Sequence, residues 1–178
     1  MRYLVRERIF GIGDDYWVET EHGEKAFLVD GKALRLRETF ELRDPAGDVV
    51  TVIRKKVLSL RDAMKVQDAH GETVATVRKK LFTPFRDKYH AELADGSELE
   101  IHGDFLDKEY DIEADGGERV ARISRKWFRV RDTYAVDVAD GADAALLLSV
   151  AVCVDRLSTE EHEEHEEKEK ERRRAEED

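Results

Sequence analysis

A single cysteine, Cys153, stands in 178 residues. It excludes an internal disulfide and fits a reducing, cytoplasmic compartment. The first ten residues, MRYLVRERIF, hold no apolar core between their charges, so no secretory leader is expected there. The longest apolar stretch, Ala144 to Val154, is far shorter than the roughly 20 residues a bilayer span needs, so no transmembrane segment is expected. The signatures of common chemistry are missing too. There is no G-x-S-x-G, no H-E-x-x-H and no P-loop. The GIG at 11–13 does not lead from a strand into a helix, so it is no dinucleotide fingerprint. Asp and Glu are too abundant for any pair to stand out as acid and base. The expectation is a protein that is not an enzyme and that uses no cofactor.

Excess positive charge is lacking as well. The net charge is −11, which argues against a nucleic-acid partner. It is unevenly spread: residues 158–178 hold 11 acidic and 5 basic side chains, and residues 1–157 hold 31 and 26.

What the chain does have is a repeat. Six segments align on a glycine: YWVETEHG, FELRDPAG, MKVQDAHG, YHAELADG, YDIEADGG and YAVDVADG. Each begins with a large apolar residue, at Tyr16, Phe40, Met64, Tyr89, Tyr110 and Tyr134. Each ends seven residues later, at Gly23, Gly47, Gly71, Gly96, Gly117 and Gly141. Start-to-start spacings are 24, 24, 25, 21 and 24 residues. The first arm of each unit alternates apolar with polar, which is the strand period. Glycine then supplies the turn. The second arms, such as DVVTVIRKK and ETVATVRKK, are rich in β-branched residues. Six first arms and five second arms make eleven strands. RYLVRERIF adds a twelfth, with Tyr3, Val5 and Ile9 on one side and Leu4 on the other.

The sixth unit has no second arm. DAALLLSVAVCVDRL takes its place. Asp143 is a suitable N-cap, and Ala-Leu-Leu-Leu favours helix. Val150, Val152 and Val154 suit a strand instead, which is the alternative. A helix apolar around its whole girth must be enclosed by protein. Twelve strands closed into a barrel leave more room than side chains can fill, since about eight is the self-filling number. A helix over 143–156 would be about 21 Å long, close to the length of a six- to eight-residue strand. Cys153 lies inside this run and reads as core packing.

RKKLFTPFRDKY and ISRKWFRVRDTYAVDVADGADAALLLSVAVCVDRL, with barrel strands followed by a terminal helix, resemble the LURP-one-related family over about residues 1–157. The resemblance implies a mainly β, Tubby C-terminal-like fold: a twelve-stranded antiparallel β-barrel enclosing a central apolar C-terminal helix. It divides the chain into a barrel with its core helix, 1–157, and a charged tail, helical or disordered, at 158–178. The tail departs from the family pattern. Most members of that family have no assigned biochemical activity. Related Tubby proteins bind phosphoinositides, and phospholipid scramblases are distant relatives. The resemblance therefore implies a binding or scaffold module whose partner is an anionic phospholipid headgroup or a protein. A scramblase-like or other enzymatic role is the alternative. A structural protein using its charged tail as a contact is a third.

Three basic-aromatic clusters are the candidate anion site: Arg54, Lys55 and Lys56; Arg78, Lys79 and Lys80; Arg125 and Lys126. Phe82, Trp127 and Phe128 stand nearby in sequence. Each cluster ends a second arm, so all should reach one end of the barrel. The plainer reading is solubilising charge paired with Asp62, Asp87 and Asp132. His22, His70, His90 and His102 show no metal spacing. His162 and His165 stand three apart among glutamates, which suits a solvated helix better than a metal site. Ser158 and Glu161 form an S-x-x-E capping box, so a second helix is expected to start there.

Overall fold

The structure, a computed structural model, describes residues 1–6, 16–30, 39–56, 63–80, 87–104, 109–124 and 133–177. Twelve strands form a closed antiparallel barrel: β1 Arg2–Arg6, β2 Tyr16–Thr20, β3 Lys25–Asp30, β4 Thr39–Arg43, β5 Val49–Lys55, β6 Ala63–Asp68, β7 Thr73–Lys79, β8 Asp87–Leu93, β9 Glu98–Asp104, β10 Glu109–Ala114, β11 Arg119–Ser124 and β12 Thr133–Val138. Neighbours in sequence are neighbours in the barrel, and β1 closes the ring against β12, from Arg2 opposite Asp137 to Arg6 opposite Thr133. Among the described residues one helix, α1, runs from Ala144 to Glu177.

The repeat is explained by its turn. In the first unit the Gly23 amide donates to the Thr20 carbonyl at 2.9 Å and the Thr20 amide to the Glu24 carbonyl at 2.8 Å. The same pair of bonds recurs at Gly47, Gly71, Gly96 and Gly117. This is a tight turn completed by a residue at positive φ, and at Gly47 φ is 95°. A side chain at Gly47 would meet no atom, so backbone conformation and not space demands the glycine. Aspartates of the repeat add local bonds: Asp68 Oδ1 accepts the amides of His70 and Glu72, both at 2.9 Å.

Side-chain parity then builds the core. Phe40, Met64, Tyr89, Tyr110 and Tyr134, which open five of the repeats, are all buried. So are their inward-facing companions Val5, Val18, Ile53, Val77, Ile101, Ile112 and Val136. Gly103 on β9 is a different kind of glycine. A Cβ there would collide with the Glu109 carbonyl oxygen and the Tyr110 ring, so this glycine admits close packing.

The space inside is filled by α1. Asp143 caps it, its Oδ1 accepting the Leu146 amide at 3.0 Å. Leu147, Leu148, Val150, Ala151, Val152, Cys153, Val154 and Leu157 are all buried. The helix expectation holds over the strand alternative: tertiary enclosure outweighs the strand preference of the three valines. The expected second helix at Ser158 is not there. α1 continues through it, and the Ser158 hydroxyl, buried, donates back to the Asp155 carbonyl at 2.9 Å rather than capping a new start. All-round burial becomes full exposure by residues 166–175.

Replacing Leu147 or Val150 by Asp is expected to abolish folding. The carboxyl group would enter a space lined by apolar side chains, at a cost of about 4 kcal/mol or more, against the roughly 5–15 kcal/mol that holds a domain folded. A variant that keeps a cooperative melt near the parent temperature would contradict the enclosed placement. Gly103→Ala is expected to lower the melting temperature more than Gly47→Ala, because its Cβ meets backbone. Equal melts for the two would remove the packing argument.

Candidate functional site

Each hairpin turn lies at one end of the barrel, and the connections between hairpins lie at the other. α1 enters at the turn end, from the turn at Gly141, and leaves through the connection end. β5 and β7 run toward that same end, so the first two basic clusters meet there. Arg125 and Lys126 lie outside the described residues, as do Phe82, Trp127, Phe128, Asp62 and Asp132.

Strand parity splits each cluster between the two faces of the wall. Lys55 follows Thr51 and Ile53 on the inward side of β5, and Lys79 follows Ala75 and Val77 on that of β7. Both inner lysines have acidic partners. Lys55 Nζ lies 3.0 Å from Glu160 Oε2, and Arg156 Nε lies 2.8 Å from Glu160 Oε1. Lys79 Nζ lies 3.3 Å from Asp87 Oδ1 and 5.9 Å from the centre of the Tyr89 ring. The Tyr110 hydroxyl donates to Asp87 Oδ2 at 3.4 Å. Burial, with the Asp87 charge beside it, pushes the Tyr110 hydroxyl well above the usual phenol range. A cavity of about 10 Å³ between Tyr110, Ile123, Tyr134, Val154 and Asp155 has room for about one water. Among the described residues at this end, the inner lysines are paired with acids and the space beside α1 holds about one water.

The outer members of the clusters are placed differently. Arg54, Lys56 and Arg78 are exposed, and no carboxylate among the described residues pairs with them. Lys80, also exposed, pairs with Glu100 at 2.6 Å. Two further cations join this wall. Lys65 on β6 stands directly opposite Arg54, and Lys88 on β8 directly opposite His102. The outward positions of β5, β6 and β7 are Val50, Val52 and Arg54; Lys65 and Gln67; Val74, Thr76 and Arg78, with Ala63 on the same parity but buried. None is acidic.

The far wall shows how unusual this is. Across β10, β11, β12 and β1 the register brings Asp111, Arg122, Asp137 and Arg2 side by side, alternating in sign. Arg2 holds Asp137 by two bonds, at 2.6 and 2.9 Å. The Arg2 guanidinium keeps the Asp137 carboxyl below its ordinary range. Arg122 Nε lies 3.7 Å from Asp111. Opposite charges face each other there, whereas on β5 and β6 two cations do, at a cost of about 0.2–1 kcal/mol per directly opposed pair.

Of the eight cluster residues, Arg54, Lys56, Arg78 and Lys80 thus share the outer wall, and Lys55 and Lys79 do not. Lys65 and Lys88 were missed because they sit in first arms, apart from any cluster. The register between β5 and β6, strands of successive hairpins, is the signal that finds Lys65.

The histidines pair with acids singly: His90 Nδ1 with Glu98 at 3.5 Å and His102 Nε2 with Glu113 at 3.4 Å. Among the described residues no group of three or more His, Cys, Asp or Glu could hold a metal. The side chains of His162 and His165 lie outside the described residues. Cys153 is fully buried, and burial pushes its thiol above the usual range. Among the described residues no helix is long and apolar enough to cross a membrane.

A closed twelve-stranded antiparallel barrel around an apolar helix defines a mainly β protein of the helix-filled barrel class. The family model described as LURP-one-related matches residues 1–155, and the chain belongs to that family. Among solved structures, an X-ray structure of a protein from Arabidopsis thaliana is similar, at 17% identity and a TM-score of 0.39, covering 72% of this chain and 88% of that one. No curated protein gives a significant match.

Cys153 and Tyr110 make a prediction in alkali. Both keep their protons longer folded than unfolded. Their stabilising contribution is complete below the unfolded values, about 8.5 and 10, and is lost as pH rises above them. Urea midpoints are expected to fall between pH 8 and 11, with Cys153→Ala blunting the first part of the fall. Rapid thiol labelling of the folded chain at pH 8 would show that Cys153 is not enclosed.

Proposed function

We propose that the chain is a non-enzymatic binding or scaffold module that takes an anionic partner on the outer wall of β5–β8. Phospholipid headgroups on a membrane surface are the first such partner, and a protein is the second. The observation that carries the reading is the group Arg54, Lys56, Lys65, Arg78 and Lys88. These five cations face outward on neighbouring strands; Arg54, Lys56, Lys65 and Arg78 form no ion pair with a described carboxylate, and Lys88 stands near enough to Glu100 to help hold that carboxyl below its usual range. An unpaired cation group of this kind attracts extended negative charge, and the neutralised far wall does not oppose it at close range. With the inner lysines paired, the wall is the basic surface that the described strands of the barrel leave accessible.

Flotation with vesicles tests it. The full chain is expected to rise with vesicles containing phosphatidylserine or phosphoinositides at low salt and not with phosphatidylcholine alone. Binding should weaken at physiological salt, where exposed charges are screened beyond about 8 Å. Arg54→Glu with Arg78→Glu should reduce binding about tenfold or more, and Lys168→Glu with Lys170→Glu should matter less. Protein that stays with the buffer at both salts would end the lipid reading and leave a protein partner.

A further inference from the structure

We propose that the basic wall of one chain receives the acidic stretch of α1 from a second copy, so that two chains pair reciprocally through each other's helices. This uses the wall named above but does not depend on lipid being its ligand.

Three observations carry it. The first is that α1 does not stop where the barrel does. Residues 159–177 extend it by about 28 Å at 1.5 Å per residue. Residues 166–175 are exposed on every side, and the helix there is supported by its own i,i+4 pairs, Lys170–Glu166 at 3.5 Å and Arg173–Glu169 at 2.9 Å. It is a charged rod anchored in the barrel through Glu160, which holds Lys55 and Arg156.

The second is that its charge is banded. Beyond Glu160, residues 161–167 carry five glutamates and no lysine or arginine, and residues 168–174 carry five cations and two glutamates. The acidic band is about 10 Å long. The wall cations Arg54, Lys65, Arg78 and Lys88 span four strands, about 14 Å at 4.8 Å per strand. Charge sign and length match.

The third is that the match is out of reach within one chain. α1 runs inside the barrel and leaves through its mouth, whereas the wall cations point outward from the opposite side of the same strands. An unbroken helix cannot turn back over the rim. A second copy has no such restriction. Each chain offers one rod and one wall, so a two-fold pair satisfies both contacts in a closed complex. Exposed ion pairs are individually weak and salt-sensitive, so the pair is expected to be one that low salt favours and physiological salt loosens.

Sedimentation of the full chain gives the test. A dimer is expected at low salt, dissociating as salt rises. The wall variant Arg54→Glu with Arg78→Glu, and the rod variant Glu166→Arg with Glu167→Arg, change exposed positions. Each alone should self-associate at least about tenfold less, with an unchanged melt. An equimolar mixture of the two should associate again, because the reversed wall now faces a reversed rod and the native wall a native rod. A monomer at low salt, a dimer indifferent to either variant, or a mixture that stays apart would each overturn the proposal. Vesicle flotation keeps the two readings separate. A chain that floats but sediments as a monomer loses only this inference, and one that pairs but does not float loses only the lipid reading.

Discussion

Everything in this molecule depends on one mutual burial: the apolar girth of α1 against the inner face of the barrel. Neither surface is stable alone. Twelve strands enclose a space their own side chains do not fill, and a helix that is apolar on every side has nowhere to lie in water. Each buried Leu or Val contributes about 1.5–3 kcal/mol when removed from water, and the helix carries eight buried apolar residues of this run. The fit is not purely apolar. Thr51 on β5 and Ser149 on α1 share a hydrogen bond at 2.7 Å, and the Ser149 hydroxyl also reaches the Ala145 carbonyl at 2.7 Å. Those hydroxyls are satisfied only when the helix stands at one height and one rotation, so they set its register in the lumen.

Plugging the lumen has a consequence for charge. Once the interior is closed, a lysine at an inward strand position must find a carboxylate or stay at the rim. Lys55 and Lys79 do both. Their outward neighbours face water and have no such need. Three adjacent basic residues in sequence therefore acquire two different physical roles. Lys55 helps to seat α1 and Lys79 pairs with Asp87, whereas Arg54, Lys56 and Arg78 are left available to something outside the chain.

The uneven walls follow from the register around the barrel. Between β10 and β1 the cross-strand neighbours alternate in sign, and the charges consume one another. On β5 and β6 they do not. A barrel has no edge strand through which to recruit a partner, so among the described residues recruitment falls to side chains on a wall or to the part of α1 that leaves the barrel. This chain carries both, with opposite charge: a basic wall and an acidic band on α1.

Much of the architecture was legible in the chain itself, because its signals are local. Positive φ at the turn demands glycine, alternation of apolar and polar residues demands a strand, and an apolar run eleven residues long demands enclosure. These rules needed no knowledge of distant contacts, and they led to twelve strands and a central helix. The candidate site was half legible. The first two basic clusters do collect at one end, since β5 and β7 run the same way, but a cluster in sequence is not a patch in space. Parity divides Arg54 from Lys55 and Arg78 from Lys79, and only pairing across strands brings Lys65 beside Arg54. The capping box at Ser158 was a sound local signal that lost to a nonlocal one. The turns before it are held inside the barrel, and a helix already formed and enclosed extends more cheaply than it restarts. The sequence by itself determined the elements and the need to enclose one of them. The tertiary structure decided which charges are spent and which remain, because electrostatic pairing depends on distances between strands far apart in the chain.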